Sequence, residues 1–159
     1  MIALAVIFIG FAISKRLINR LIFLKSFLCF VERIKTQIRF NSADLYNLLN
    51  ADMQHRELNE FLKKCRDNMQ KNSFYNSWSI AINCIPKTVG LTRDDIEIMR
   101  GFATVLGTTD IDGQLAHCEL YISLIKQKIV KVKEEKEQKV KLYRSLGLSV
   151  GACVFILVI

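Results

Sequence analysis

The chain has 159 residues, room for one modest domain, of which 51% are hydrophobic and 24% charged. The formal net charge is +8 and mean hydropathy is +0.22, high for so charged a chain. A basic excess can mark a nucleic-acid partner, but these basic residues are spread along the chain and densest beside two apolar ends, which argues for anionic lipid and against nucleic acid.

Residues 1–14, MIALAVIFIGFAIS, carry no charged side chain. Each uncharged end of the chain covers only ~20 Å as a helix, against a hydrocarbon core of ~30 Å. The first lengthens through Leu17, Ile18, Leu21 and Ile22 if Lys15, Arg16 and Arg20 snorkel. A cleaved signal peptide fits badly, because the basic residues follow the apolar run and do not precede it. Beyond this segment Leu17, Leu21, Leu24, Leu28, Val31, Ile34 and Ile38 recur at three- and four-residue steps, predicting a helix that continues out of the membrane.

RFNSADLYNLL interrupts that helix, with Asn41 or Ser42 able to cap a new one carrying Leu45, Leu48 and Leu49. HRELNEFLKKCRDNMQ aligns Leu58, Phe61, Leu62, Cys65 and Met69 on one face, and Asn72-Ser73 punctuates it. FYNSWSIAINCI puts Phe74, Trp78, Ile82 and Ile85 on another stripe, which Pro86 ends. Trp78 with Phe74 reads as core. In the next helix Thr92 is the candidate cap, Asp94 and Asp95 suit the positive end of the helix dipole, and Ile96, Met99, Phe102, Ala103 and Leu106 form the apolar face.

Gly101, Gly107 and Gly113 then stand at even intervals. A P-loop needs GxxxxGK[ST] and a dinucleotide loop GxGxxG, each after a strand. Here a helix precedes, the spacing is one residue too long and no Lys follows, so the glycines read as a bend in a helical hairpin. Gly107 is placed at a left-handed C-cap, Thr109 or Asp110 at the next cap and Gly113 in the first turn after it. From there Leu115, Cys118, Ile122, Ile125, Ile129 and Val132 step evenly by three and four. One helix is predicted from about residue 110 through the uncharged tail SLGLSVGACVFILVI, bent near Gly147. No strand pattern appears.

Five cysteines stand at 29, 65, 84, 118 and 153 with no CxxC, and His55 and His117 are isolated. An odd count and wide spacing argue for free thiols in a reducing compartment, with no disulfide framework, metal site or cofactor.

The fold class read from these patterns is all-α: a membrane-anchored helical bundle with N- and C-terminal apolar transmembrane helices. Residues 1–22 and 143–159 form the transmembrane segments and residues 23–142 a cytoplasmic bundle. Lys15, Arg16 and Arg20 follow the first apolar segment, and Lys139, Lys141 and Arg144 precede the second. The positive-inside bias therefore puts residues 15–144 in the cytoplasm. The first and last long helices are expected to pack antiparallel, with residue 24 level with 135, 31 with 128 and 38 with 121.

Two motifs carry a family resemblance. Phe102, Leu106, Gly107, Asp110 and Gln114 match an F-G-x-x-L-G-x-x-D-x-x-x-Q segment, and Lys141, Tyr143, Arg144, Leu146 and Gly147 match K-x-Y-R-x-L-G before a hydrophobic end. With the apolar segment at Met1 and the central Trp78, the chain resembles the stage III sporulation protein AB family from end to end. It departs in Ala103, where the family has Gly, and in NSADL, where the family has G-x-T-P-L. The resemblance implies a helical domain similar to that of type II secretion and type IV pilus inner-membrane platform proteins. It also implies a non-enzymatic scaffold in the mother-cell membrane around the forespore, among other stage III sporulation membrane proteins and serving their cytoplasmic ATPase. A general type II secretion or type IV pilus platform protein is the alternative, although those carry two copies of the domain. A membrane-bound nucleotide-dependent enzyme is a remote one.

No catalytic residue is assigned. Asp110 and Gln114, four apart on one helix face, are read as a capping Asp steadied by a neighbour through a mutual hydrogen bond. The run KVKEEKEQKVK reads as a solvated face, on which Lys131, Lys133, Lys136, Lys139 and Lys141 are candidates for contact with lipid headgroups or an acidic partner.

Overall fold

The fold is seen in a computed structural model, which describes the backbone of residues 2–41, 46, 49–50, 53 and 55–158, and side chains within 14–40, 46, 49–50, 53, 55–139 and 141–142. Its described residues are helical, with no strand among them. Two long helices, α1 (Ile2–Asn41) and α5 (Ile111–Val158), form the frame. Between them in sequence lie α2 (Arg56–Asn68), α3 (Phe74–Asn83), a 3-10 turn (Lys87–Val89) and α4 (Arg93–Phe102).

Local chemistry sets the ends of the short helices. The Ser73 hydroxyl accepts from Asn76 N at the start of α3. Thr92 and Asp95 make a reciprocal capping box on α4. His55 caps α2 through Nδ1, which accepts from Leu58 N at 3.4 Å. The expected helix around Ser42, Leu45 and Leu48 lies outside the described residues; Leu49 is buried.

Trp78 organises the core. It is fully buried, and its ring lies 4.7 Å from Phe61, 5.6 Å from Phe74, 5.9 Å from Phe102, 6.2 Å from Phe30 and 6.3 Å from Phe27. Its Nε1 donates to Met99 O at 2.7 Å, so the one polar atom of the indole is satisfied. One side chain on α3 thereby touches α1, α2 and α4.

The long helices pair antiparallel, as expected. Arg20 meets Glu135, Glu32 meets Lys126 and Lys35 meets Glu119. These contacts keep the level register expected from Lys15 and Arg144 to within about a turn and a half. Leu24, Val31, Ile34 and Ile38 are buried on α1, and Cys118, Ile125, Ile129 and Val132 on α5, with Leu28 and Ile122 partly covered. Helix α1 also buries Phe23, Phe27 and Phe30, which face the short helices. It is therefore packed on two sides, and the single stripe visible in sequence is half of its buried surface.

Arg20, expected from the sequence to snorkel toward lipid, is instead buried at 6% exposure and paired with Asp95 of α4. Leu17 likewise belongs to the core. Bringing a guanidinium into the fold is tolerable because its charge and its donors are met there.

Among the described residues no helix is long and apolar enough to cross a membrane. The backbone of α1 and α5 nevertheless stays helical through the uncharged stretches 2–14 and 145–158.

Candidate interaction surface

The hairpin joining α4 to α5 holds the first family motif, and its chemistry is structural. Gly107 adopts φ 76°, the left-handed region in which a Cβ costs ~1–2 kcal/mol. Asp110 Oδ1 accepts from Gly113 N at 3.0 Å, capping α5. Gln114 does not bond the Asp110 side chain, as the i, i+4 spacing suggested. Its Oε1 accepts from Gly107 N at 3.2 Å and its Nε2 donates to Thr109 O at 2.8 Å. The side chain thus clasps the turn that precedes its own helix. Phe102 and Leu106 anchor the hairpin in the core. Gly101 lies within α4, where a Cβ would meet the Tyr121 hydroxyl of α5 and the tyrosine would have to shift. His117, from the first turns of α5, meets Phe102 O through Nε2 at 3.0 Å. The glycines bend a helical hairpin that Asp110 and Gln114 close.

A second cluster ties three helices together. Arg20 Nε donates to Asp95 Oδ2 at 2.7 Å and Nη2 to Asp95 Oδ1 at 3.0 Å, a bidentate pair. Nη2 also reaches Thr92 Oγ1 at 3.3 Å, and Nη1 reaches Glu135 Oε2 at 3.4 Å. The same Asp95 carboxylate accepts from Thr92 N at 2.8 Å. In sequence Asp95 suits only the helix dipole; its partner is seventy-five residues away and gives no local signal.

The thiols sort by burial. Desolvation pushes the Cys65 thiol up to about 12 and the Cys118 thiol to about 11, while Cys29 and Cys84 are exposed. No group of three or more metal-ligating side chains occurs among the described residues.

What the surface offers is a contact face along α5 and its junction with α1. Lys131, Lys133 and Lys141 are exposed, and Lys136 and Lys139 half-exposed. A shallow cleft between the long helices is lined by Glu32, Lys35, Arg39, Phe40, Ile122 and Lys126, and no residue of the short helices lines it. Phe40 is 77% exposed at its edge and Val130 52% exposed further along α5. Beside this cleft Lys35 holds the Glu119 carboxyl below its usual range by hydrogen bond and charge, and where α4 meets α5 Lys128 does the same for Asp94. Tyr143, Arg144 and Gly147 of the second motif fall within helix α5, and their side chains lie outside the described residues.

A Trp-centred set of short helices packed against a pair of long antiparallel ones, with a polar clasp at the hairpin, defines an all-helical bundle domain. The family model for stage III sporulation protein AB matches residues 1–159, the whole chain, and the chain belongs to that family. A match is found neither among curated proteins nor among solved structures. The role that follows from the family is in stage III of sporulation.

Proposed function

We propose that the protein is a membrane platform subunit: a non-enzymatic scaffold whose bundle faces the cytoplasm and serves a cytoplasmic ATPase within a secretion-like complex of stage III sporulation proteins. One observation carries this reading. The Arg20–Glu135 contact sets α1 and α5 side by side, and from that level α1 reaches its uncharged segment after ~9 Å and α5 after ~15 Å. The two apolar segments thus leave the domain at the same end, as helices. Two apolar helices emerging together from a charged bundle have a ready partner in one bilayer. The lysines of α5 on the way to that end, Lys131, Lys133, Lys136, Lys139 and Lys141, are then available to lipid headgroups or an acidic partner.

Alkaline extraction of membranes from cells making the full chain tests the anchoring. The protein should stay with the membrane, and removal of both uncharged ends should release it. Cysteine labelling of intact cells tests the orientation: a cysteine at Met1 should react from outside, and one at Ser73 should be protected. Co-purification of the ATPase from a detergent extract tests the scaffold role. Release of the intact chain by alkali would end the membrane reading, and a purified complex lacking the ATPase would end the docking reading.

A further inference from the structure

The segment from Pro86 to Arg93 is far from both apolar ends in sequence, yet the fold brings it to the same end of the domain. Asn19 Nδ2 donates to Thr88 O at 3.2 Å. A Cβ at Gly90 would stand 2.6 Å from Arg16 Cγ and 2.8 Å from Arg16 O, so the turn lies directly against α1 at Arg16. Pro86, Lys87, Thr88 and Arg93 are exposed there, as are Lys15 and Arg16. Helix α5 passes the same level one turn beyond Glu135, at Lys139 and Lys141.

Charge on this end is one-sided. Beyond the level of the Arg20–Glu135 contact, residues 14–17, 86–93 and 138–144 contain Lys15, Arg16, Lys87, Arg93, Lys139, Lys141 and Arg144 and not one Asp or Glu, while Asp94, Asp95, Glu134, Glu135 and Glu137 border these stretches in sequence. Arg20 is committed to Asp95, but Lys15, Arg16, Lys87 and Arg93 make no ion pair among the described residues. At the other end of the long helices bases and acids are mixed: Lys35 pairs with Glu119 and Lys126 with Glu32, beside Arg33 and Arg39, which make no ion pair among the described residues. Exposed cations without partners, gathered at one end from three separate segments, fit an extended anionic surface.

We propose that the 3-10 turn Lys87–Val89 and Arg93 form, with Lys15, Arg16, Lys139 and Lys141, a basic collar that docks the bundle on anionic lipid headgroups. The inference rests on the membrane reading above and adds a third contact point. Two helices alone would leave the domain free to tilt on the bilayer. A turn beside them, bearing its own charges, fixes which side of the bundle faces the membrane. Each basic residue near an anionic surface strengthens its attraction about fivefold, and the attraction is screened by salt.

The test uses the full chain reconstituted in vesicles of neutral lipid, or of neutral lipid with phosphatidylglycerol. Cys29, Cys84 and Cys153 are replaced by serine, and a fluorophore is placed on Thr88→Cys or, as a distant control, on Ala116→Cys. A headgroup-attached quencher reads proximity. Quenching at residue 88 should exceed that at 116, rise with phosphatidylglycerol and fall with added salt. Lys87→Glu with Arg93→Glu should shift the docked-to-undocked ratio at least about tenfold toward undocked. Both side chains are exposed, and a glutamate in the first turn of α4 suits the helix dipole, so the fold should persist. A chain that floats with the vesicles but shows the same quenching at 88 in neutral and anionic lipid, or after the double charge reversal, overturns the collar and leaves the anchoring intact. A chain that does not float with vesicles at all overturns both.

Discussion

Arg20 and Asp95 stand seventy-five residues apart in sequence and face each other as a bidentate ion pair, both buried, where α1, α4 and α5 converge. The pair joins the frame of long helices to the last short helix, and Asp95 serves twice, since it also closes the capping box with Thr92. Removing one partner strands the other charge in the core. Asp95→Ala should therefore cost about 3–5 kcal/mol in unfolding experiments on the detergent-solubilised chain. Arg20→Met combined with Asp95→Ala should cost clearly less than the two single changes added together. Strict additivity would mean that the two side chains do not interact.

How much of this was legible beforehand differs by element. The apolar stripes of α2, α3, α4 and α5 were plain, because each of these helices buries one face and leaves its period in the sequence. Thr92 and Gly107 could be placed because caps are local chemistry, whereas Ser73, which caps α3, reads in sequence only as punctuation. Helix α1 was half read: Phe23, Phe27 and Phe30 lie off the Leu24–Val31–Ile34–Ile38 stripe, and a helix buried on two sides blurs its own pattern. Arg20 was misplaced because a basic residue beside an apolar run looks the same whether it meets lipid or an acid contributed from far along the chain. His55 looked isolated for a similar reason: it caps α2 and sets its ring edge-on to Phe23 at 5.5 Å.

The hairpin gives a prediction of its own. Gly107→Val must force a β-branched residue to φ 76°, and should cost about 1–2 kcal/mol through backbone strain. Gln114→Ala removes the acceptor for Gly107 N and the donor to Thr109 O, and should cost about 1 kcal/mol. Chemical denaturation of the two variants beside the parent is sufficient. A valine variant as stable as the parent would remove the left-handed cap from the account of this turn.

Thiol chemistry should follow burial. At pH 8 a maleimide should label Cys29 and Cys84 in the folded chain and spare Cys65 and Cys118 until denaturant is added. The two buried thiols also set a pH dependence. Their folded pKa values, about 12 and about 11, lie above the ordinary 9.0. Between pH 9 and those values the unfolded chain loses protons that the folded chain keeps, so stability present below pH 9 is lost as pH rises. Unfolding midpoints measured from pH 8 to pH 10.5 should fall more steeply for the parent than for a variant with alanine at both positions. Equal slopes would mean that the decline comes from other groups.

The antiparallel frame can be tested by cross-linking. Lys126 Nζ lies 3.2 Å from Glu32 Oε1, and both side chains are partly exposed beside the cleft, so cysteines there disturb little of the core. From this point one step along α1 corresponds to one step back along α5, ~1.5 Å each way. In a background without native thiols, Glu32→Cys with Lys126→Cys should give an intramolecular disulfide on mild oxidation, because facing sites come nearest to the Cα separation of roughly 4.4–6.8 Å that a disulfide requires. Glu32→Cys with Val130→Cys, displaced by a full turn of α5, should oxidise several-fold more slowly. A bifunctional maleimide of longer span should then join both pairs at similar rates, which separates a register difference from a loss of folding. Equal disulfide rates for the two pairs in a folded chain would show that the helices slide past one another. Failure of both reagents at both pairs would mean that α1 and α5 are not partners, and the common exit of the two apolar segments, on which the membrane platform rests, would go with them.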